Sequence, residues 1–319
     1  MRQKLTKSLR TIFLITLKIL FFNFTSLAFS QTYSSSGPEK YNPNAVFEVK
    51  ISEVPYRKNT VGRQLMARVY EPQGSGPFPV VIDFHGGAWN TKDRKAEQPM
   101  DLALAKSGLL VVAVDMTVAS ESPYPANLQD AHYAIRWLKH NARQWHGDGN
   151  TLGVYGSSTG GHVAELIGMK PFNPDYSALP FSEAPQLDAT VKYIVARSPI
   201  SNPLARYQNA VNLQRDRMIN NHYTYFKPWS TIYLANPQFI LDRKENVTKP
   251  PMLIIVGAND DNVRPEIQEK FVKSYKAVGG DIQLKIFPDS DHEWVAKEGL
   301  QTDIARKTVK DFIASQLNK

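Results

Sequence analysis

Residues 151–161 read Thr-Leu-Gly-Val-Tyr-Gly-Ser-Ser-Thr-Gly-Gly, and they decide the fold. Residues 152–155 make a short, nearly apolar run, as a strand buried on both faces should. Gly156 and Gly160 then bracket Ser158 in the pattern G-x-S-x-G, and residues 162–169 can continue as a helix. A strand that turns this sharply into a helix needs small residues on either side of the serine, because the backbone doubles back there. The turn exposes the central hydroxyl at the upper edge of a sheet. Ser157 is the weaker candidate nucleophile, since only Ser158 has glycine at both −2 and +2. Such a pattern also arises by chance, so its context must carry it.

The context is strand and helix in alternation. Apolar or alternating runs predict strands at 46–54, 64–70, 78–84, 109–114, 191–196, 252–256 and 282–287. Helices are expected at 126–145, 160–169, 266–277 and 302–317; Leu128, Ala131, Ile135 and Leu138 recur at the spacing of one helical face. Buried strands alternating with amphipathic helices imply an α/β protein with a mostly parallel sheet flanked by helices. Ligands of such sheets bind beyond the carboxyl ends of the strands. Residues 199–247 break the rhythm: no strand, but Tyr207, Tyr223, Tyr225, Phe226, Trp229 and Tyr233. That length exceeds an ordinary connection, and the expectation is a small helical lid insertion. Its aromatic side chains suit a phenolic or sugar-linked substrate and suit packing equally well.

The chain has 319 residues, 38 Lys+Arg, 30 Asp+Glu and a net charge of +8. Residues 1–30 carry Arg2, Lys4, Lys7, Arg10 and Lys18 with no acid, then an apolar run ending in Ala28-Phe29-Ser30. A basic head, an apolar middle and a small-x-small end describe a cleaved signal peptide, hence a secreted or periplasmic protein. The alternative is an uncleaved membrane anchor, but Lys18 interrupts a run that a span would keep apolar. Removing this segment takes away five of the eight excess positive charges, so the basic balance belongs to export and gives no nucleic-acid surface. Residues 31–44 are polar and rich in turn formers, a flexible leader; 45–319 is the length of one α/β domain. The chain has no cysteine, which excludes disulfides and thiolate metal sites. Oligomeric state leaves no trace in the sequence.

A serine hydroxyl needs a base, and the base needs an orienting carboxylate. His222 and His292 are the histidines that lie well after Ser158. His292 follows the strand at 282–287, where the base belongs; His222 falls in the lid. The strand at 252–256 runs into Asp260 and Asp261, either of which is placed to orient the imidazole. The acids Asp289, Asp291 and Glu293 near His292 lack the second His or Cys that a catalytic metal site calls for. The oxyanion needs backbone donors. One is the N–H of Thr159, the residue after the nucleophile, and others come from a loop after an earlier strand. His85-Gly-Gly-Ala-Trp89 is such a loop, and its glycines let N–H groups face the site.

Taken together, the His85–Trp89 loop, the turn at Ser158, Gly257-x-x-Asp260-x-x-Val263 and His292 resemble the α/β-hydrolase superfamily. The likeness is closest to its hormone-sensitive-lipase-like and bacterial carboxylesterase branch, and it covers residues 45–318. The resemblance implies a Ser158–Asp260–His292 triad and oxyanion donors at Gly86, Gly87 and Thr159. Asp115 to Glu121, Pro125-Ala126 and Asp130-Ala131 are similar to a further family segment, with Met116, Thr117 and Ser120 in place of Tyr, Arg and Pro. Ala88 stands for the third loop glycine, and Thr159 for the usual alanine. The same HGG-x-W form occurs in kynurenine formamidases and bacterial hemicellulose esterases. The implied activity is cleavage of small carboxylic esters through an acyl-enzyme, without cofactor or metal. The rivals are an amide hydrolase of formamidase or small-peptidase type, and a non-catalytic binding protein of the same fold.

Overall fold

The computed structural model describes residues 40–319. The expected signal peptide and most of the leader lie outside these residues. Two long N-terminal strands, β1 (Val49–Lys58) and β2 (Gln64–Pro72), form an antiparallel hairpin. Then β3 (Phe78–Phe84), α1 (Gln98–Lys106), β4 (Leu110–Val114), α2 (Ala126–Asn141), β5 (Gly147–Ser157) and α3 (Thr159–Met169) alternate. After β6 (Ile194–Arg197) come four short helices: α4 (Pro203–Asn212), α5 (Asp216–Tyr225), α6 (Thr231–Leu234) and α7 (Pro237–Asp242). The chain ends with β7 (Met252–Gly257), α8 (Pro265–Ala277), β8 (Ile282–Phe287) and α9 (Leu300–Leu317).

The eight strands form one sheet in the order β1-β2-β4-β3-β5-β6-β7-β8. β2 pairs antiparallel with β4, and every pair from β4 to β8 is parallel. The expected α/β class and mostly parallel sheet are what the chain forms. The pleat sends Val80, Ile82 and Phe84 to one face and Val81 to the other, and separate cores grow on the two faces. Leu128 and Ala131 of α2, Val163 of α3 and Phe271 of α8 cover the first. Leu104 of α1 and Val309 and Phe312 of α9 cover the second. Each fully buried aliphatic or aromatic side chain contributes about 1.5–3 kcal/mol by leaving water. Such packing, without disulfides, holds the strand ends where the loops must meet.

Differences from the sequence expectation sit at element ends. The first strand starts later than 46 and runs on to Lys58, because its edge position exposes half its side chains and blurs the pattern. The helix expected over 126–145 is α-helical only to Asn141, then tightens into a 3₁₀ turn at Ala142–Trp145 closed by His146 in the left-handed region. α1 was not expected; Pro99 at its start and its nine-residue length hide the periodicity. Among the described residues, no helix is long and apolar enough to cross a membrane.

Candidate active site

β5 delivers Ser158 to the rim of the sheet, and the turn there is sterically forced. Ser158 has φ 54° and ψ −111°, a conformation L-residues avoid. Its N–H donates to the Arg197 carbonyl at 2.8 Å, and its own carbonyl accepts from His162 at 3.1 Å. A Cβ at Gly160 would lie 1.7 Å from the Phe84 carbonyl oxygen, and one at Gly156 would lie 2.5 Å from the Gly160 carbonyl oxygen. The two glycines of the motif are therefore demanded by close backbone approach. Strain of this kind costs about 1–3 kcal/mol and persists only where the surroundings hold it.

The loop after β8 carries His292 to the same rim. Its Nε2 lies 3.1 Å from Ser158 Oγ and its Nδ1 lies 2.8 Å from Asp260 Oδ2. A carboxylate only accepts, so Nδ1 carries the proton and Nε2 is left with a lone pair facing the hydroxyl. Asp260 follows β7 and is 2% exposed; its other oxygen accepts from the N–H groups of Asn262 at 3.0 Å and Val263 at 2.8 Å. Burial alone would raise this carboxyl, but the His292 imidazole and the Val263 N–H outweigh it and hold it below the usual carboxylate range. Asp261 points away, exposed and paired with Arg215. His222 is buried in α5, its Nδ1 donating to the Met218 carbonyl at 2.7 Å. Burial, then Arg206, pushes it down to about 3, so it stays neutral.

The loop after β3 approaches from the opposite side. Gly87 has φ 106°, and a Cβ there would meet the Thr91 carbonyl oxygen at 2.0 Å. Ala88 and Trp89 follow with φ 52° and 63°. Among the described residues, the N–H groups of Gly86, Gly87 and Ala88 donate to no protein acceptor. Gly87 and Ala88 line the cavity beside Ser158 and His292, whereas Gly86 packs behind, where a Cβ would press on the Ser157 carbonyl and the Ser158 Cβ. Thr159 begins α3, and its N–H is an orphan of that helix start.

Buried polar contacts fix this loop. His85 Nδ1 donates to the Gly86 carbonyl at 2.8 Å, and its Nε2 accepts from the Met116 N–H at 3.3 Å. Burial keeps His85 below its ordinary pKa, hence neutral. Asp115, Glu121 and Asp130 anchor the segment bearing Met116: Asp115 pairs with Arg94, Glu121 with Arg63, and Asp130 accepts from the Thr117 N–H. The Trp89 indole N–H donates to His162 Nδ1 at 3.3 Å, and its ring stacks on Tyr225 at 4.7 Å. Tyr225 and Phe226 are thus core for the helical insertion, and the cavity wall contains none of its aromatic side chains.

The cavity holds about 520 Å³. α4 and α5, within the segment expected as a lid, supply much of its wall, including Arg206, Met218 and Asn221. Two residues of the site escaped the sequence reading. Arg197 ends β6 and reaches the His292 carbonyl, Ser157 Oγ and, at 3.3 Å, Glu97. Its only sequence signal is a charge directly after a buried apolar run. Arg206 stands on the cavity wall, and nothing in the local sequence marks it.

This sheet order, with a serine turn after the fifth strand and loops from β3, β7 and β8 meeting over it, defines an α/β-hydrolase fold. The BD-FAE family model matches residues 68–275, more than half of the chain, and the chain belongs to that family. Esterase LipC of Mycobacterium tuberculosis is 29% identical over 249 residues, 74% of this chain and 58% of LipC. Carboxylesterase NlhH of the same species is 34% identical over 134 residues, 40% of each chain. The chain thus spans roughly half the length of these relatives. Among solved structures, the propionate-bound thermophilic esterase Est2 of Thermogutta terrifontis superposes with a TM-score of 0.63 at 21% identity, covering 84% of this chain and 94% of its own; the likeness is one of fold.

Proposed function

We propose that this chain is a serine hydrolase of carboxylic esters, acting through an acyl-enzyme on Ser158. The observation that carries the reading is the continuous pair of hydrogen bonds from Ser158 Oγ through His292 to Asp260 at the mouth of a cavity. The hydroxyl attacks the ester carbonyl carbon while its proton passes to His292 Nε2, and Asp260 steadies the imidazolium. The tetrahedral intermediate collapses: the C–O bond to the alcohol breaks and His292 returns the proton to the leaving oxygen. Water repeats the sequence and releases the acid.

The developing oxyanion is held by backbone N–H groups, each worth about 10²–10³ in turnover. Gly87 and Thr159 supply two. Ala88 supplies another in place of Gly86, since Ala88 lines the cavity and Gly86 lies behind it. The helices of 199–247 act as the cover that walls the cavity from water. The esterase relatives support this reading, and the chemistry needs no cofactor or metal. Fluorophosphonate labelling of the wild type and of Ser158→Ala, alongside 4-nitrophenyl acetate and N-formyl substrates, tests it. Labelling confined to the wild type, with ester turnover exceeding amide turnover, is expected; equal labelling of the variant or no ester turnover would refute it.

A further inference from the structure

Arg206 stands on the cavity wall, the proposed ester chemistry does not use it, and its environment is costly. It is 2% exposed, yet among the described residues no carboxylate lies within ion-pair distance of it. A buried charge ordinarily costs several kcal/mol unless it is paired. Burial pushes this guanidinium down, to about 9, and it stays charged at neutral pH.

Its neighbours hold it in one orientation. Nε donates to Asn262 Oδ1 at 2.8 Å, and Nη1 donates to His222 Nε2 at 3.4 Å. The His222 lone pair is available for this because its Nδ1–H is committed to the Met218 carbonyl. The guanidinium carbon lies 5.6 Å from the Trp89 ring centroid, a cation–π contact. Among the described residues Nη2 finds no hydrogen-bond partner, and Arg206 lines the cavity. The other wall charges do not neutralise it: Lys92 pairs with Glu293 and Arg215 with Asp261, and Asp216 forms no ion pair with Arg206. The wall carries the cations Lys92, Arg206, Arg215 and Arg217 against the acids Asp216 and Glu293, so its balance is positive. An oriented, desolvated guanidinium whose Nη2 is left without a partner suits a carboxylate as its ligand.

We propose that Arg206 is the recognition point for a carboxylate carried by the ester substrate, so that the preferred substrates are anionic half-esters and carboxylated esters. This rests on the serine-hydrolase reading for the reaction, and on Arg206 for the substrate class. The charge belongs to either side of the scissile bond, and two substrate pairs distinguish them. 4-Nitrophenyl hydrogen adipate against its methyl ester places the carboxylate on the acyl side. 4-Carboxyphenyl butyrate against its methyl ester places it on the alcohol side.

The wild type should favour the anionic member of at least one pair by about tenfold or more in kcat/KM, equivalent to ~1.4 kcal/mol. Arg206→Gln should lower that ratio at least tenfold, and Arg206→Lys by less, because a point charge keeps attraction without the fork. Adipate should compete with 4-nitrophenyl butyrate on the wild type, while 1,6-hexanediol of the same length should not; this arm needs no variant to fold. Calorimetry of adipate with Ser158→Ala reads the carboxylate site without turnover. An unchanged ratio in Arg206→Gln for both pairs, or adipate no better than the diol, overturns the proposal. Loss of all ester turnover with adipate still bound would instead sink the serine-hydrolase reading and leave the carboxylate site standing.

Discussion

The guanidinium of Arg197 donates to the backbone carbonyl of His292. The end of β6 thereby grips the loop that carries the imidazole, and the same side chain holds Ser157 Oγ, next to Ser158. Glu97, buried behind it, supplies the counter-charge at 3.3 Å. Arg197 is not among the residues lining the cavity, so the effect expected of it on the reaction is one of positioning.

Replacing Arg197 by Met should therefore lower kcat by about tenfold or more with little change in KM, since a small misplacement of the imidazole slows the chemistry more than binding. It should also destabilise the fold by about 3–5 kcal/mol, because Glu97 is left buried without a partner. The double variant Arg197→Met/Glu97→Gln should recover part of the stability but not the rate. Urea unfolding and ester kinetics on the three proteins separate the two effects; a double variant that regains full kcat would remove the positioning role.

Asp260 and Asp261 are adjacent in sequence and opposite in environment. Asp260→Asn should reduce kcat by about 10³–10⁴, as expected where an orienting carboxylate is lost, while Asp261→Asn, which frees one exposed ion pair, should cost less than tenfold. A pH effect accompanies the first. The folded-state pKa of Asp260 lies below its unfolded value, so its stabilisation is complete above about pH 4–5 and is lost as pH falls through the folded value. Acid unfolding of Asp260→Asn should accordingly be shallower below pH 4 than that of the wild type. Identical acid limbs would contradict the assigned environment.

Gly160 tests the turn itself. An added methyl would sit inside the Phe84 carbonyl, a backbone group that cannot swing aside. Gly160→Ala should destabilise by about 3 kcal/mol or fail to fold, near the upper end for overpacking, whereas Gly62→Ala meets nothing within 4 Å and costs only the strain of φ 84°. Thermal unfolding of both variants checks the contrast, and a stable, active Gly160→Ala would remove the steric account.

The strands beneath the site were legible because burial on both faces leaves unbroken apolar runs, as in residues 78–84 and 252–257. The turn at Ser158 and the Gly86-Gly87 loop stood out in the sequence because turns that tight tolerate few residue types, whereas the choice between Asp260 and Asp261 stayed open there and the structure sets Asp260 beside His292. The edges of β1 and the existence of α1 were not, since half-exposed residues carry no clean period. Arg197 and Arg206 were invisible for another reason: their meaning lies in partners 95 and 56 residues away in sequence, His292 and Asn262. The sequence left the aromatic insertion open between substrate contact and packing, and Tyr225 and Phe226 pack on Trp89.

Behind Arg197 lie Asp83 on β3 and Asp101 on α1, both fully buried, with carboxylate oxygens that find no hydrogen-bond donor among the described residues. Burial raises both well above the usual carboxylate range; Asp101 and then Glu97 push Asp83 further up while Arg197 opposes, and Glu97 also raises Asp101. For an acid whose folded-state pKa is raised, the stability it contributes is present below the unfolded value and is lost as pH rises through the folded one. Asp101→Asn keeps the shape and removes the titration. Its unfolding temperature should match the wild type near pH 4 and exceed it at pH 8, by about 2 °C or more for a chain of this size. Melting curves from pH 4 to pH 9 decide the matter: a gap that stays constant, or that favours the wild type at high pH, would show that Asp101 is ionised and paired in the folded protein.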